Sequence, residues 1–271
     1  MPELPEVEVI VRGLRHNFLG LKLKYFKILN KELRYPLESK MEYEFKNKTI
    51  KHILRRGKYG LIIFNGTKHL LFHLGMTGKF RFTKDKTTKI KHDHILIEFN
   101  RNRFLIYNDV RKFGYFSIIE NPINIHSLKK LGPEPSSYNF FKEQLWSKVQ
   151  QKQADIKSLL LDQSFITGIG NIYASEILYD SKIFPFKIAS KINKKSFTKL
   201  LNSIEKILEK AISSGGTTIK DFQNIVGDLG YFQNSFKVYG REGLTCYKCK
   251  NLIIKIKSKG RSTFFCSSCQ K

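Results

Sequence analysis

Acidic residues are scarce in this chain: 23 Asp+Glu stand against 49 Lys+Arg, leaving a formal charge of +26 over 271 residues. So lopsided a balance predicts a polyanionic partner or an anionic membrane surface. Long apolar runs are missing as well. None approaches the roughly 18 residues that a membrane span requires, and Glu3, Glu6 and Glu8 stand where a secretory signal would be basic and then apolar. Membrane insertion is thereby excluded, nucleic acid is the simpler partner, and a cytoplasmic chain is expected. Arginine is the minor base, with 11 of the 49, and Lys, Ile and Asn abound, so part of the charge is what an AT-rich genome would produce by itself. What is present suffices for real cores. At 41% hydrophobic and 13% aromatic the chain is not disordered, and its length predicts two domains.

Cysteine is rare and confined to the end of the chain, which excludes a disulfide framework spread over the fold. Cys246-x2-Cys249 and Cys266-x2-Cys269 are separated by sixteen residues, the spacing of a four-thiolate zinc site closed by two knuckles. Four protein ligands leave no position open for water, so one structural Zn2+ per chain is expected. Between the knuckles Leu252 to Lys257 alternates as a strand, Lys259-Gly260 can turn, and Arg261 to Phe265 returns. This is a zinc-stapled β-hairpin with Arg261 near its tip.

The rest of the chain falls into two textures. Residues Glu3 to Phe18 read as a helix with Val7, Ile10, Leu14 and Phe18 on one face and Gly20 after its end. From Leu21 to Glu120 short apolar runs broken by Gly, Asn and Lys turns indicate an antiparallel β-sandwich or barrel. The Gly132-Pro133-Glu134-Pro135-Ser136-Ser137 stretch is the candidate linker. Beyond it Phe140 to Val149, Ile156 to Leu161, Asn171 to Ser181 and Ser196 to Ser213 read as helices. The fold class is therefore α+β, with domains at 1–131, a linker at 132–138, a helical domain at 139–240 and the zinc hairpin at 241–271.

The opening residues offer an unusual chemistry. Removal of Met1, which normally follows when a small residue such as Pro is next, exposes the secondary amine of Pro2 at a helix start. Such an amine can form a Schiff base with a sugar aldehyde or aminal. The positive end of the helix disfavours its ammonium form, pushing a pKa of ~8 toward neutrality. A chain retaining Met1 has no such amine and is expected to be inactive. Glu3 lies beside it as a proton donor. The same residues also serve an ordinary helix start, with Pro in the first turn and acids near the N-terminus, and spacing alone favours that plainer reading.

Met1-Pro2-Glu3-Leu4-Pro5-Glu6-Val7-Glu8 resembles the opening of the bacterial formamidopyrimidine-DNA glycosylases, which excise oxidised purines such as 8-oxoguanine. Further similar motifs follow in order: Arg56-Gly57-Lys58-Tyr59, His73-Leu74-Gly75-Met76, Lys91-His92-Asp93-His94, Arg111-Lys112-Phe113-Gly114, Leu131-Gly132-Pro133-Glu134-Pro135, Gly168 to Glu176, Gly215-Gly216-Thr217-Thr218 and the four cysteines. The resemblance spans the whole chain. It implies a β-sandwich domain with the N-terminal helix, then a helix-two-turn-helix domain ending in the zinc hairpin.

The resemblance also implies roles. Pro2 and Glu3 carry the chemistry, Lys58 moves a proton during strand cleavage, and Arg261 binds the phosphate that departs in the second elimination. Enzymes that act on a base extrude it from the duplex, and Met76, Arg111 and Phe113 match the trio that fills the hole, with Arg111 facing the widowed cytosine. His92, Lys152 and Asn171 match phosphate contacts; locally, Gly168 to Asn171 is equally a glycine-rich turn with an Asn cap, and Lys152 one surface base among many. Glu6 matches a position against the lesion, as do Ile219, Lys220 and Asp221 within a loop, 217–231, that covers it. Lys112, Val110 and Ser158 depart from an Arg and two prolines common in the family. The reading is a bifunctional glycosylase and abasic-site lyase, acting as a monomer on double-stranded DNA containing oxidised purines, in the cytoplasm at a bacterial nucleoid. Two alternatives compete. The endonuclease VIII branch, which prefers oxidised pyrimidines, opens with a Gly where Leu4 stands, and a non-enzymatic zinc-finger DNA-binding protein leaves Pro2-Glu3 and Lys58 without a purpose.

Overall fold

Apolar residues recur at helical spacing after Pro2, and the chain answers with α1 (Leu4–Phe18). Val7, Ile10, Val11, Leu14 and Phe18 form its buried face, while Pro5 sits in the first turn, where the missing N–H would have had no helical acceptor. The computed structural model describes residues 1–85, 90–121, 125–218 and 224–271. These fall into two units, residues 1–129 with 214–231 and residues 130–213 with 232–271.

In the first unit α1 is followed by β1 (Leu23–Ile28), α2 (Met41–Glu44), β2 (Ile50–Arg56), β3 (Tyr59–Phe64), β4 (His69–His73), β5 (Lys79–Thr83), β6 (Asp93–Phe99), β7 (Arg103–Asn108), β8 (Tyr115–Ile119) and α3 (His126–Lys129). The strands make two four-stranded sheets, ordered β1-β6-β7-β5 and β2-β3-β4-β8, with every pairing antiparallel. Both sheets and α1 feed one core. Phe72 of one sheet meets Phe80 of the other edge-on with ring centres 5.0 Å apart, and Tyr107 meets Phe116 at 4.7 Å. The expected sandwich is thus present.

The domain boundaries differ from the expected ones in two respects. The break falls between Lys129 and Lys130, and the expected linker is ordered structure of the second unit. The Gly132 N–H donates to the Gln163 carbonyl at 2.8 Å, and a Cβ at Gly132 would lie 2.5 Å from the carbonyl oxygens of Ser164 and Phe165. The segment 214–231, assigned by chain order to the helical domain, packs instead with the first unit. Its Ile225 is fully buried in the sandwich core, its carbonyl accepts the Phe82 N–H at 2.7 Å, and Gly13 on α1 leaves the room, since a Cβ there would sit 3.0 Å from Ile225 Cγ1. An apolar plug overrides chain order.

The second unit contains α4 (Tyr138–Gln151), α5 (Ile156–Leu161), α6 (Asn171–Asp180) and α7 (Lys194–Ser213), followed by the hairpin of β9 (Ile254–Ser258) and β10 (Arg261–Phe265). Phe197, Leu200, Leu201, Ile204, Leu208 and Ala211 make the buried stripe of α7. The buried Glu176 carboxylate of α6 accepts three backbone N–H groups, from Lys237, Val238 and Tyr239, at 2.8–2.9 Å, which fixes the chain entering the hairpin. Between the hairpin strands Lys259 and Gly260 both take positive φ, 48° and 75°, as a two-residue turn matched to strand twist requires.

Gly60 of β3 packs directly under the ring of Phe72 on β4, where an added Cβ would lie 2.0 Å from the ring. Gly60→Ala is expected to destabilise the first unit by about 1–3 kcal/mol through overpacking; thermal unfolding checks this, and Phe72→Leu in the same chain should recover part of the loss.

Candidate functional site

The residues expected to carry chemistry lie at the start of α1 and on the turn joining β2 to β3. Pro2 and Glu3 are buried and Met1 is half exposed. Glu3 is the N-cap residue of α1, and its N–H donates to Glu6 Oε2 at 2.8 Å. The other Glu6 oxygen accepts the Thr217 N–H at 2.9 Å, so Glu6 joins the first turn of α1 to the root of the 217–231 loop. Of that loop, Ile219, Lys220 and Asp221 lie outside the described residues.

Lys58 follows Gly57 in the two-residue β2–β3 turn, where Gly57 has φ 56°, and is largely buried. A residue that the sequence reading passed over ties this turn to α1. Glu8, one turn after the helix start, accepts Arg55 Nε at 2.7 Å and Arg12 Nε at 2.9 Å, while Arg55 also donates to the Gly57 carbonyl at 3.1 Å. Burial works against the ionised Glu8, but the hydrogen bonds from Arg55 and Arg12 outweigh it and hold the carboxyl below its usual range. Forty-seven residues separate Glu8 from Arg55, and no local pattern could have paired them.

His73, at the end of β4, pairs across the sheet with Tyr59. Its Nδ1 accepts the Gly75 N–H at 3.0 Å and its ring lies 4.9 Å from that of Tyr59. Burial, with the Lys58 charge adding to it, lowers the His73 pKa from 6.5 to about 4. The imidazole is therefore neutral beside the lysine. Its bond to Gly75 shapes the turn that carries Met76.

Met76 and Phe113 are partly buried and Arg111 is exposed, on loops that touch: a Cβ at Gly75 would lie 2.4 Å from the Phe113 carbonyl carbon. The Arg111 guanidinium stands 5.0 Å from the centre of the Phe113 ring, and that of Arg34 5.6 Å from it. The structure thus brings the expected trio together. His92 is partly exposed and left-handed, with φ 71°. Lys112, the departure from Arg, is paired with Glu32 at 2.5 Å.

The second unit holds the remaining candidates. Lys152 is exposed just past α4. Asn171 begins α6 after a loop that Gln163 braces by accepting the Gly168 N–H and donating to the Ile169 carbonyl, both at 2.9 Å. The Asn171 side-chain nitrogen donates to the Ser262 carbonyl at 2.9 Å, so it anchors the hairpin beside the exposed Arg261. Lys157, buried and unanticipated, joins it through Ser262 O at 3.0 Å and Thr263 Oγ1 at 2.9 Å. At the hairpin base the Sγ atoms of Cys246, Cys249, Cys266 and Cys269 all lie within 4.8 Å of one another. The pairs 249–266 and 246–269 are 3.4 and 3.9 Å apart, bracketing the ~3.8 Å edge of a tetrahedron with 2.3 Å Zn–S bonds. Four thiolates at this spacing fit zinc. No helix among the described residues is long and apolar enough to cross a membrane.

Comparison with known proteins agrees along the full length. Residues 1–116 match the formamidopyrimidine-DNA glycosylase N-terminal domain and residues 131–223 the H2TH domain of the same enzymes. A formamidopyrimidine-DNA glycosylase of Rickettsia conorii is 41% identical over all of this chain and 99% of its own. The structure of Lactococcus lactis Fpg with DNA containing an abasic site is similar at TM-score 0.92 and 37% identity over 99% of both chains. The same enzyme with DNA containing N7-benzyl-Fapy-dG gives TM-score 0.92 and 37% identity over 100% of both.

The buried neutral His73 predicts a pH effect with a definite sign. Its folded pKa, about 4, lies below the unfolded 6.5, so between these values the unfolded chain binds more protons, and stability falls as pH drops through the window. From pH 7 to 5.5, where carboxylates stay ionised, this residue should cost the first unit about 1 kcal/mol. Thermal midpoints of the protein and of His73→Gln across that range are the check, and the substituted chain should show the flatter profile.

Proposed function

The chain belongs to the formamidopyrimidine-DNA glycosylase family, and from that premise we propose how its own residues perform the reaction. The protein is a DNA glycosylase that removes oxidised purines and cleaves the abasic site left behind. Once Met1 is removed, the Pro2 nitrogen attacks C1′ of the damaged nucleotide, Glu3 protonates the sugar ring oxygen, and the base leaves from the opened sugar. The resulting iminium acidifies the neighbouring C–H, so that β- and then δ-elimination release the two phosphates and leave a one-nucleotide gap. Lys58 carries a proton in these steps. The observation that supports this reading best is the double fastening of the α1 start, by Glu6 to the Thr217 loop and by Glu8 through Arg55 to the turn that carries Lys58.

The partner is double-stranded DNA containing 8-oxoguanine or formamidopyrimidines. Met76, Arg111 and Phe113 fill the hole left by the everted base; His92, Lys152 and the α6 start at Asn171 meet phosphates, and Arg261 receives the phosphate released in the second elimination. Glu6 acts on the lesion through the loop root it holds, with Ile219, Lys220 and Asp221 of that loop against the base. Cys246, Cys249, Cys266 and Cys269 hold one structural zinc, which supplies folding energy to the hairpin. We further propose that the enzyme acts as a monomer, in the cytoplasm at the nucleoid of a bacterium.

Borohydride reduction in the presence of an 8-oxoguanine:cytosine duplex tests the central step, because only an enzyme that forms an imine becomes covalently fixed to DNA. Trapping is expected for the protein; Pro2→Gly should still bind DNA but lose most base excision, and an unchanged excision rate would remove Pro2 from the mechanism, whereas a residual trapped adduct would only report the primary amine that the substitution leaves. Glu3→Gln should slow base excision by about 10²–10⁴-fold while sparing part of the cleavage of a pre-formed abasic site, whose aldehyde needs no acid to open the ring. If thymine glycol is the better substrate, the pyrimidine branch replaces this reading.

The zinc assignment has its own check. Metal analysis should find one equivalent per chain, and Cys249→Ser or strong chelation should weaken DNA binding by misplacing Arg261. Full DNA affinity in a chain shown to be free of metal would reject the assignment.

A further inference from the structure

Asp109 lies between β7 and β8, carries no role above, and is completely buried. Its carboxylate is saturated by donors from three places. Oδ1 accepts the Thr77 hydroxyl at 2.5 Å and the Arg111 N–H at 3.2 Å; Oδ2 accepts the Gly114 N–H at 2.7 Å and the Tyr107 hydroxyl at 3.2 Å. Four donors match the roughly four lone-pair positions of a carboxylate. Thr77 Oγ1 in turn accepts the Arg111 N–H at 3.0 Å. The backbone of the same residue reaches further, its N–H to the His92 carbonyl at 3.1 Å and its carbonyl to His94 Nε2 at 2.9 Å.

The donors are the neighbours of the void-filling trio. Thr77 follows Met76, and the Arg111 and Gly114 N–H groups flank Phe113. The packing beneath is closed as well, because Cβ atoms at Gly78 and Gly114 would lie 2.2 and 1.8 Å from the Tyr107 hydroxyl. Burial, reinforced by the Asp109 charge, drives the Tyr107 pKa far above the phenol range, which keeps this hydroxyl a donor.

We propose that Asp109 is a positioning residue that joins the Met76 loop and the Arg111–Phe113 loop into one rigid wedge, so that all three side chains enter the duplex in a single geometry. Two turns that moved independently would have to be ordered on binding, at a cost in affinity and alignment. A carboxylate bonded to both removes that cost beforehand. It does nothing for the Pro2 chemistry itself, and this separates its role from a catalytic one. The proposal rests on the assignment of Met76, Arg111 and Phe113 made above.

The experiment compares two substrates, a duplex with 8-oxoguanine opposite cytosine or adenine and a single-stranded oligonucleotide with an abasic site, which has no opposite base and no hole to fill. Asp109→Asn turns an amide N–H toward groups that are themselves donors. Thr77→Val deletes only the bridging hydroxyl from a partly exposed position, and Thr77→Ser restores it. Asp109→Asn should lower duplex excision by about tenfold to a hundredfold, as misplacement on the ångström scale does, and should erase the preference for cytosine over adenine. Borohydride trapping on the single strand should be unchanged. Thr77→Val should shift duplex excision and base preference the same way by a smaller factor, with Thr77→Ser near the unsubstituted level. Parallel loss on both substrates, or a duplex rate and base preference that do not move, would overturn the proposal. Should Asp109→Asn fail to fold, the Thr77 pair decides by the same criteria. Absence of trapping by the unsubstituted enzyme would instead defeat the Pro2 assignment, a distinguishable result.

Discussion

Chain termini fray unless something ties them down, so the chemistry proposed for the second residue depends on how the first helix is fastened. The apolar face of α1, from Val7 to Phe18, supplies adhesion to the sandwich at ~1.5–3 kcal/mol for each large side chain buried. Apolar burial has no direction, however, and would tolerate sliding or rotation of the helix. Glu8 removes that freedom. Its two hydrogen-bonded guanidinium partners fix where the first turn lies relative to β2 and its turn. A half-buried ion pair contributes little net stability, because desolvation offsets most of the attraction. Its value here is geometric, and the same holds for Glu6, which spends both oxygens on backbone N–H groups of separate segments.

What the sequence made legible was local. The short apolar runs of the sandwich strands, the periodicity of α1 and the paired Cys-x2-Cys knuckles each declare themselves within a few residues, and each was found where expected. The helix over Ile156 to Leu161 agrees to the residue. What stayed hidden was pairing at a distance. Nothing around Glu8 announces Arg55, nothing around Asp109 announces Thr77, and Ile225 looks like any apolar loop residue until its burial in the sandwich core is seen. Residues 214–231 scatter their apolar side chains among Gly, Thr, Asp and Asn with no period, so chain order was the only guide to their domain, and the contacts group them with the first unit instead.

Departures from the family pattern were legible as departures but not in their consequence. Ser158 stands where proline is common, and a proline in the first turn of α5 would have been favourable. The structure uses what serine adds. Its N–H donates to the capping Asp155 at 2.7 Å and its hydroxyl to the other Asp155 oxygen at 2.8 Å. Lys259 then reaches from the hairpin turn to both groups at 2.9 Å. One substitution thus trades a rigid φ for a polar cap that also holds the tip of the hairpin.

That tip needs holding, because four of the five β9 residues are exposed and a lone two-stranded hairpin is marginal in water. Two kinds of restraint act on it. The hydrogen bonds from Lys157 and Asn171 to Ser262, with Lys259 to Asp155, tie β10 and the turn to α5 and α6, each at about 0.5–1.5 kcal/mol net. A structural zinc in four thiolates is worth roughly 10 kcal/mol or more. Under the proposed zinc assignment the metal would decide whether the hairpin exists, while the hydrogen bonds decide where it stands. Arg261 lies between the two restraints, at the first residue of β10 beside the Ser262 carbonyl, so its position requires both. Loss of the tethers alone should leave a folded hairpin that aims its arginine poorly, whereas loss of the thiolates removes the platform from which it is aimed.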